Sequence, residues 1–234
     1  MLILLKHSQK LIDDIVVTIP IYNEEKYIGE LLTKLKKLFK HIIVIDNASI
    51  DNSVNICLNY DITLIRHQIN IGKAESMKTA AIYAQTLNYI KYIAYIDGDL
   101  QHDPFDLLEM YDYITENNYD VVVGSRSFDK NMPLVRIIGN KLYSYLSLIL
   151  FNLRVKDVQC GMRILKKEIM HKFDWDLSLG QHYFFDAKMT LSFKKLKLNY
   201  GQKNIKTIYH DKSKGMNFLQ GVYLLLMIIY WRIF

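Results

Sequence analysis

Cysteine is scarce in this 234-residue chain: only Cys57 and Cys160 occur. No zinc-type spacing or disulfide framework can be built from them, so a reducing, cytosolic setting is the default. Proline is scarcer still for the length, at three residues, which leaves long stretches free to form regular elements. No apolar run reaches the roughly 20 residues of a membrane-spanning helix. Met1–Leu5 is apolar but Lys6 interrupts it, too soon for a signal-peptide core. Neither a Gly-x-Ser-x-Gly elbow nor a Walker loop is present, which removes the hydrolase and ATPase readings. A basic stripe interleaved with aromatics is also missing, so no nucleic-acid partner is expected.

What is present is half hydrophobic, carries a net charge of +6 and is long enough to bury a substantial core. A modest basic excess suits an anionic partner such as a phosphate or an acidic membrane surface. Short β-branched runs alternate with helical spacing. Strands are predicted at Asp14–Pro20, His41–Ile45, Ile62–Arg66, Tyr92–Ile96 and Asp120–Val123, and helices at Glu24–Phe39, Asp51–Asn59, Lys73–Leu87 and from Pro104 onward. Strands that are apolar throughout and separated by helices imply a mostly parallel central sheet covered on both faces, a Rossmann-like α/β architecture. Ligands of such sheets lie at the carboxyl ends of the strands, where the polar clusters Tyr22-Asn23-Glu24, Asp46-Asn47 and Asp97-Gly98-Asp99 fall. The second half is less regular. It offers a long apolar helix at Pro133–Asn152, a turn between short strands at Asp157–Arg163, and a helix at His182–Leu196. Gly221–Trp231 is uncharged and followed by Arg232, which fits either a core-packed closing helix or one lying in a membrane interface.

The segment YIDGDLQHDP ends a buried strand with two carboxylates separated by one glycine. Mg²⁺ is commonly held by one or two carboxylates together with substrate phosphates, and a departing diphosphate needs its growing charge neutralised. An acidic turn capping the helix at Pro104 is the competing reading. Arg126 has the planar guanidinium suited to a phosphate, or forms an ion pair with Asp129. Asp157 is a catalytic candidate or a partner of Arg163. Arg136 and Lys141, on an otherwise apolar helix, either snorkel or form a basic lip.

Taken in order, TIPIYNEE, VIDNASIDNS, NIGKAESMKTA, DGDLQHDP, VVGSR, DVQCGMR and KSKGMNF resemble the successive motifs of the family 2 glycosyltransferases with the type A fold, closest to the polyprenyl-phosphate branch. The likeness spans nearly the whole chain. It implies nucleotide-sugar contacts for Pro20, Tyr22, Glu24, Asp46, Lys73 and Asp97, and Mg²⁺ or Mn²⁺ contacts for Asp97, Asp99 and Gln101. It implies acceptor-phosphate contacts for Arg126, Arg136, Asn140, Arg163, Ser213 and Lys214. The catalytic candidates are Asp99, Asp157 and Asp186, the last standing where relatives with hydroxyl acceptors carry a base. Asn47, Ala48 and Ala74 depart from the commonest motif forms.

The expected protein is thus one glycosyltransferase domain. Residues of about 10–125 form a donor half, about 126–215 an acceptor half, and 216–234 an apolar C-terminal helix, packed on the core or lying at a membrane. It transfers a sugar, with inversion, from a nucleoside-diphosphate sugar to a polyprenyl phosphate, and sits in the cytoplasm, peripheral to the inner face of a membrane. A lipid phosphate is already anionic near neutral pH and needs cations rather than a base, and the basic set favours that acceptor. The alternatives are a glycan hydroxyl acceptor with Asp186 as base, and a non-catalytic nucleotide-sugar binder.

Overall fold

The structure is a computed structural model and describes residues 11–126, 134–175, 184–206, 208 and 218–233. The β-branched runs form strands because every residue can be buried on one face or the other. The strands are β1 (Ile12–Ile21), β2 (Phe39–Asp46), β3 (Thr63–Arg66), β4 (Tyr92–Tyr95), β5 (Val121–Arg126), β6 (Arg163–Lys166) and β7 (Tyr200–Ile205). The α-helices are α1 (Ile28–Leu35), α2 (Ser53–Cys57), α3 (Lys73–Gln85), α4 (Pro104–Asn117), α5 (Leu134–Phe151), α6 (Phe185–Leu191) and α7 (Phe218–Ile233). All seven strands join one sheet in the order β3-β2-β1-β4-β6-β5-β7.

Period-two alternation divides the core. Ile15, Val17 and Ile19 of β1, with Val44, Ala94, Val122 and Ile164, face α1 and α4. Val16, with Ile43, Ile45, Ile93, Tyr95, Val123 and Leu165, faces α3 and α6. The start of α4 is fixed as its sequence requires: Pro104 occupies the first turn, and the Asp103 side chain accepts from the Phe105 N–H.

The expectation of a parallel sheet needs one correction. β6 runs antiparallel to both β4 and β5, while β5 and β7 are parallel. The strand returning from α5 fills the gap between β4 and β5 in reverse. Its first residue, Arg163, therefore lies opposite Tyr95 and Val123, near the carboxyl ends of its neighbours. The preceding loop, 157–162, is delivered to the side of the sheet where ligands bind.

Boundaries also differ. The helix expected from Glu24 is confined to α1. The Glu24 carbonyl instead accepts from the N–H groups of both Tyr27 and Ile28, and Phe39 leaves the helix to pair with Ile12 in the sheet. β5 continues to Arg126, which is thus a strand residue. Within the described residues α6 ends at Leu191, short of Leu196.

Candidate active site

Three strand-end loops meet at this edge, and each turns on a non-glycine residue in the left-handed region: Asn23 after β1 (φ 56°), Ala48 after β2 (φ 65°) and Leu100 after β4 (φ 57°). Such conformations cost energy and persist where the surroundings impose them. The first two loops are tied together. Asn23 N–H donates to Ser49 Oγ, Glu24 N–H to Ser53 Oγ, and Glu25 N–H to Asp51. Gly98 permits the third loop to approach, since a Cβ there would lie 2.7 Å from Ile21 Cγ2. Pro20 and Glu24 border the same contact, and Tyr22 stands exposed beside it.

Asp46 is fully buried at the end of β2. It accepts from Ser49 N–H and pairs with Arg66 Nε at 3.0 Å. Arg66, whose guanidinium also donates to the Ser49 carbonyl, joins the candidate site although no motif marks it. Its signal was its place as the last residue of β3, one more strand carboxyl end. Asn47 accepts from Ile71 N–H, bonds the His67 ring and donates to Asn70, so it organises the loop before α3.

The centre of the site is a chain of charges. Lys73, the first residue of α3, reaches Asp97 Oδ1 at 2.5 Å and Asp186 Oδ2 at 2.9 Å. Asp186 Oδ1 lies 2.9 Å from Arg163 Nη2, and Arg163 also donates to the Cys160 and Asp186 carbonyls. Burial alone would push the Lys73 ammonium down, but Asp186 and Asp97 hold it above the ordinary lysine value. Burial likewise works against the Asp97 carboxylate, and Lys73 keeps it below the usual range. Gly161 closes over this group, where a Cβ would stand 2.5 Å from Asp97 Oδ2.

Arg163 was expected at an acceptor phosphate. Its side chain is 0 % exposed and its bonds run to Asp186 and to backbone, so it acts on the site through Asp186. Period two explains this, because Arg163 points to the α3/α6 face of the sheet. Asp157 does not pair with Arg163. It forms a bidentate pair with Arg126, Nε–Oδ2 2.6 Å and Nη2–Oδ1 2.9 Å. Burial opposes the charge on Asp157, yet Arg126 keeps that carboxyl below the ordinary value. Asn140 is buried in α5, one turn after Arg136. Ser213 and Lys214 lie outside the described residues. His102 is buried among these charges. Desolvation lowers its pKa to about 4, and its Nδ1 has no hydrogen-bond partner among the described residues.

Asp97 and Asp99 fit a hard divalent ion. They are oxygen donors two residues apart at a strand end, both retain solvent exposure, and Asp99 Oδ1 is steadied by Gln101 N–H at 3.1 Å. Among the described residues no group of three His, Cys, Asp or Glu side chains comes together as a metal cage.

Residues 16–173 match the model of the family described as glycosyl transferase family 2. A UDP-N-acetylglucosamine–dolichyl-phosphate N-acetylglucosaminyltransferase of Methanococcus voltae is 30 % identical over 231 residues, covering 88 % of this chain and 91 % of the relative. An uncharacterised protein of Methanocaldococcus jannaschii is 34 % identical over 229 residues, covering 95 % and 93 %. Among solved structures, glucosyl-3-phosphoglycerate synthase from Mycobacterium tuberculosis, in complex with Mn²⁺, UDP and glucosyl-3-phosphoglycerate, superimposes with a TM-score of 0.70 at 15 % identity. That alignment covers 93 % of this chain and 79 % of the other, and it establishes the type A fold. With the strand-end carboxylates, the antiparallel insertion and the family match all in place, this chain belongs to glycosyl transferase family 2 and is a glycosyltransferase.

Proposed function

We propose that this glycosyltransferase moves a sugar from a nucleoside-diphosphate sugar to a polyprenyl phosphate at a membrane surface, with inversion and with Mg²⁺ or Mn²⁺ bound. One observation carries the lipid acceptor. α5 exposes Ile138, Leu142, Tyr145 and Ile149 along one face, and α7 exposes Leu219, Leu226, Ile229 and Ile233. Neither helix contains an acidic residue, and Arg136, Lys141 and Arg232 supply their only charges. The two helices are joined by Tyr143 Oη donating to the Gly221 carbonyl. Ser144 of α5 donates to the Lys156 carbonyl, beside Asp157. The helix that carries this apolar face is thereby tied to the chain next to Asp157. No described helix is long and apolar enough to cross a membrane, so contact through these faces would be interfacial. The lipid-phosphate transferase from Methanococcus voltae supports the same acceptor class.

In this reading Tyr22, Glu24, Asp46 and Arg66 border the nucleoside. Asp97 and Asp99 would hold the divalent ion, which when bound would supply positive charge to offset that of a leaving diphosphate. Arg126, held in plane by Asp157, faces the acceptor phosphate. Lys73 hydrogen-bonds one Asp186 oxygen, and Arg163 stands 2.9 Å from the other as an ion partner without a hydrogen bond, so each oxygen faces a cation. That occupancy fits an acceptor that is already anionic better than one whose hydroxyl needs a base.

The test is transfer of radiolabelled sugar from a panel of nucleotide sugars to polyprenyl phosphate, with and without Mg²⁺ or Mn²⁺. Metal-dependent label in the organic phase is expected, and Asp99→Ala should lower it by about a hundredfold or more. Label only on added glycans would overturn the lipid acceptor.

A further inference from the structure

We propose that Lys73 is a displaceable internal cation, holding the metal's place at Asp97 until a nucleotide diphosphate arrives with the ion. This rests on the metal-dependent reading above. Within this partly buried chain the charges balance: Asp97 and Asp186 are matched by Lys73 and Arg163. A bare divalent ion at Asp97 must displace the ammonium or sit against it, and like charges at that distance repel strongly where water is scarce. An ion arriving with a diphosphate brings more negative charge than positive. The ammonium then gains an anion to face, and the repulsion becomes attraction.

Two features make the displacement cheap. Lys73 has a second carboxylate, Asp186, at 2.9 Å, so it leaves Asp97 without becoming an unpaired buried charge. Its stem is long and springs from the first residue of α3, directly after Gly72 at φ 91°. Asp186 in turn is fixed by Arg163, which is buried in the middle of the sheet and does not follow the swing. Lys73 therefore couples the two ligands: the ion and the nucleotide bind together, and neither binds well alone.

The experiment is titration of Mn²⁺ followed by electron paramagnetic resonance on the whole chain, first with no nucleotide and then with UDP or GDP. Wild-type protein is expected to bind bare Mn²⁺ weakly and to bind it about tenfold or more tightly beside its nucleotide. Lys73→Gln should bind bare Mn²⁺ about tenfold more tightly than wild type while losing most of that coupling. A folded Lys73→Gln protein with unchanged or weaker affinity for bare Mn²⁺ overturns the proposal. Should that variant not fold, Asp186→Asn decides. Lys73 then has Asp97 alone, and bare Mn²⁺ should bind more weakly than to wild type; unchanged or tighter binding overturns it. Wild-type protein that binds no Mn²⁺ beside any nucleotide defeats the metal-dependent reading as well. Nucleotide-coupled Mn²⁺ binding with no change in Lys73→Gln defeats this proposal alone.

Discussion

The Arg126–Asp157 pair shows at residue scale how a buried charge is tolerated. Asp157 is fully buried, and it accepts two guanidinium bonds and the N–H of Gln159. Removing one partner of such a pair strands the other, at a cost of about 3 kcal/mol or more. Because its folded pKa is depressed, the stability Asp157 confers is complete above the ordinary aspartate range near pH 4 and drains away as pH falls below it. Asp157→Asn should therefore lower unfolding stability at pH 7 by about 3 kcal/mol, and flatten the acid limb below pH ~4. Denaturant melts across pH read both; an unchanged acid limb would remove Asp157 from the account. His102 titrates in a separate window. With its pKa lowered from 6.5 to about 4, the folded ring stays neutral while the unfolded chain takes up a proton between those values, so stability is lost as pH falls through them. Unfolding stability should already decline below pH ~6.5 in wild type, and less so in His102→Gln.

The elements themselves were largely legible. Uninterrupted runs such as His41–Ile45 and Tyr92–Ile96 bury both faces and admit no other local structure. Their polar ends fall together at the carboxyl edge of the sheet. Less legible was anything set by pairing. The direction of β6 depends on where the chain returns from α5, and nothing local to Arg163–Lys166 encodes it. Partner choice failed for the same reason: Arg126 and Asp157 are 31 residues apart, and Arg66 looked like an ordinary strand terminus. At this scale α7 is the most unusual element, apolar almost all round and exposed along much of its length. Leu226→Asp combined with Ile229→Asp should weaken cosedimentation with anionic vesicles about tenfold or more. The melting temperature should hardly move, since both side chains are already exposed. Unaltered cosedimentation would exclude α7 as the contact.

Across the whole molecule, the proposed donor site would link ligand and stability, because it draws on the ends of β1, β2, β3 and β4 and on α3. A nucleotide with Mn²⁺ at about a hundred times its dissociation constant adds about 2.7 kcal/mol. For a chain of this length that amounts to a rise of roughly 5–10 °C in melting temperature. Thermal melts with the correct nucleotide and Mn²⁺ together should show this rise, and a wrong base should not; the same shift with every base would mean that Asp46 and Arg66 do not discriminate.

The position of β6 also bears on how the chain can be divided. A cut after Arg126 follows the division of the sequence into an expected donor half and an expected acceptor half. Yet β6, encoded after the cut, is the slat between β4 and β5, encoded before it. The leading fragment alone would expose two facing rows of backbone donors and acceptors, a template for a neighbouring molecule's strand. Gene fragments split there should recover activity only when produced together, and a circular permutant must keep all three strands continuous with the loops they carry.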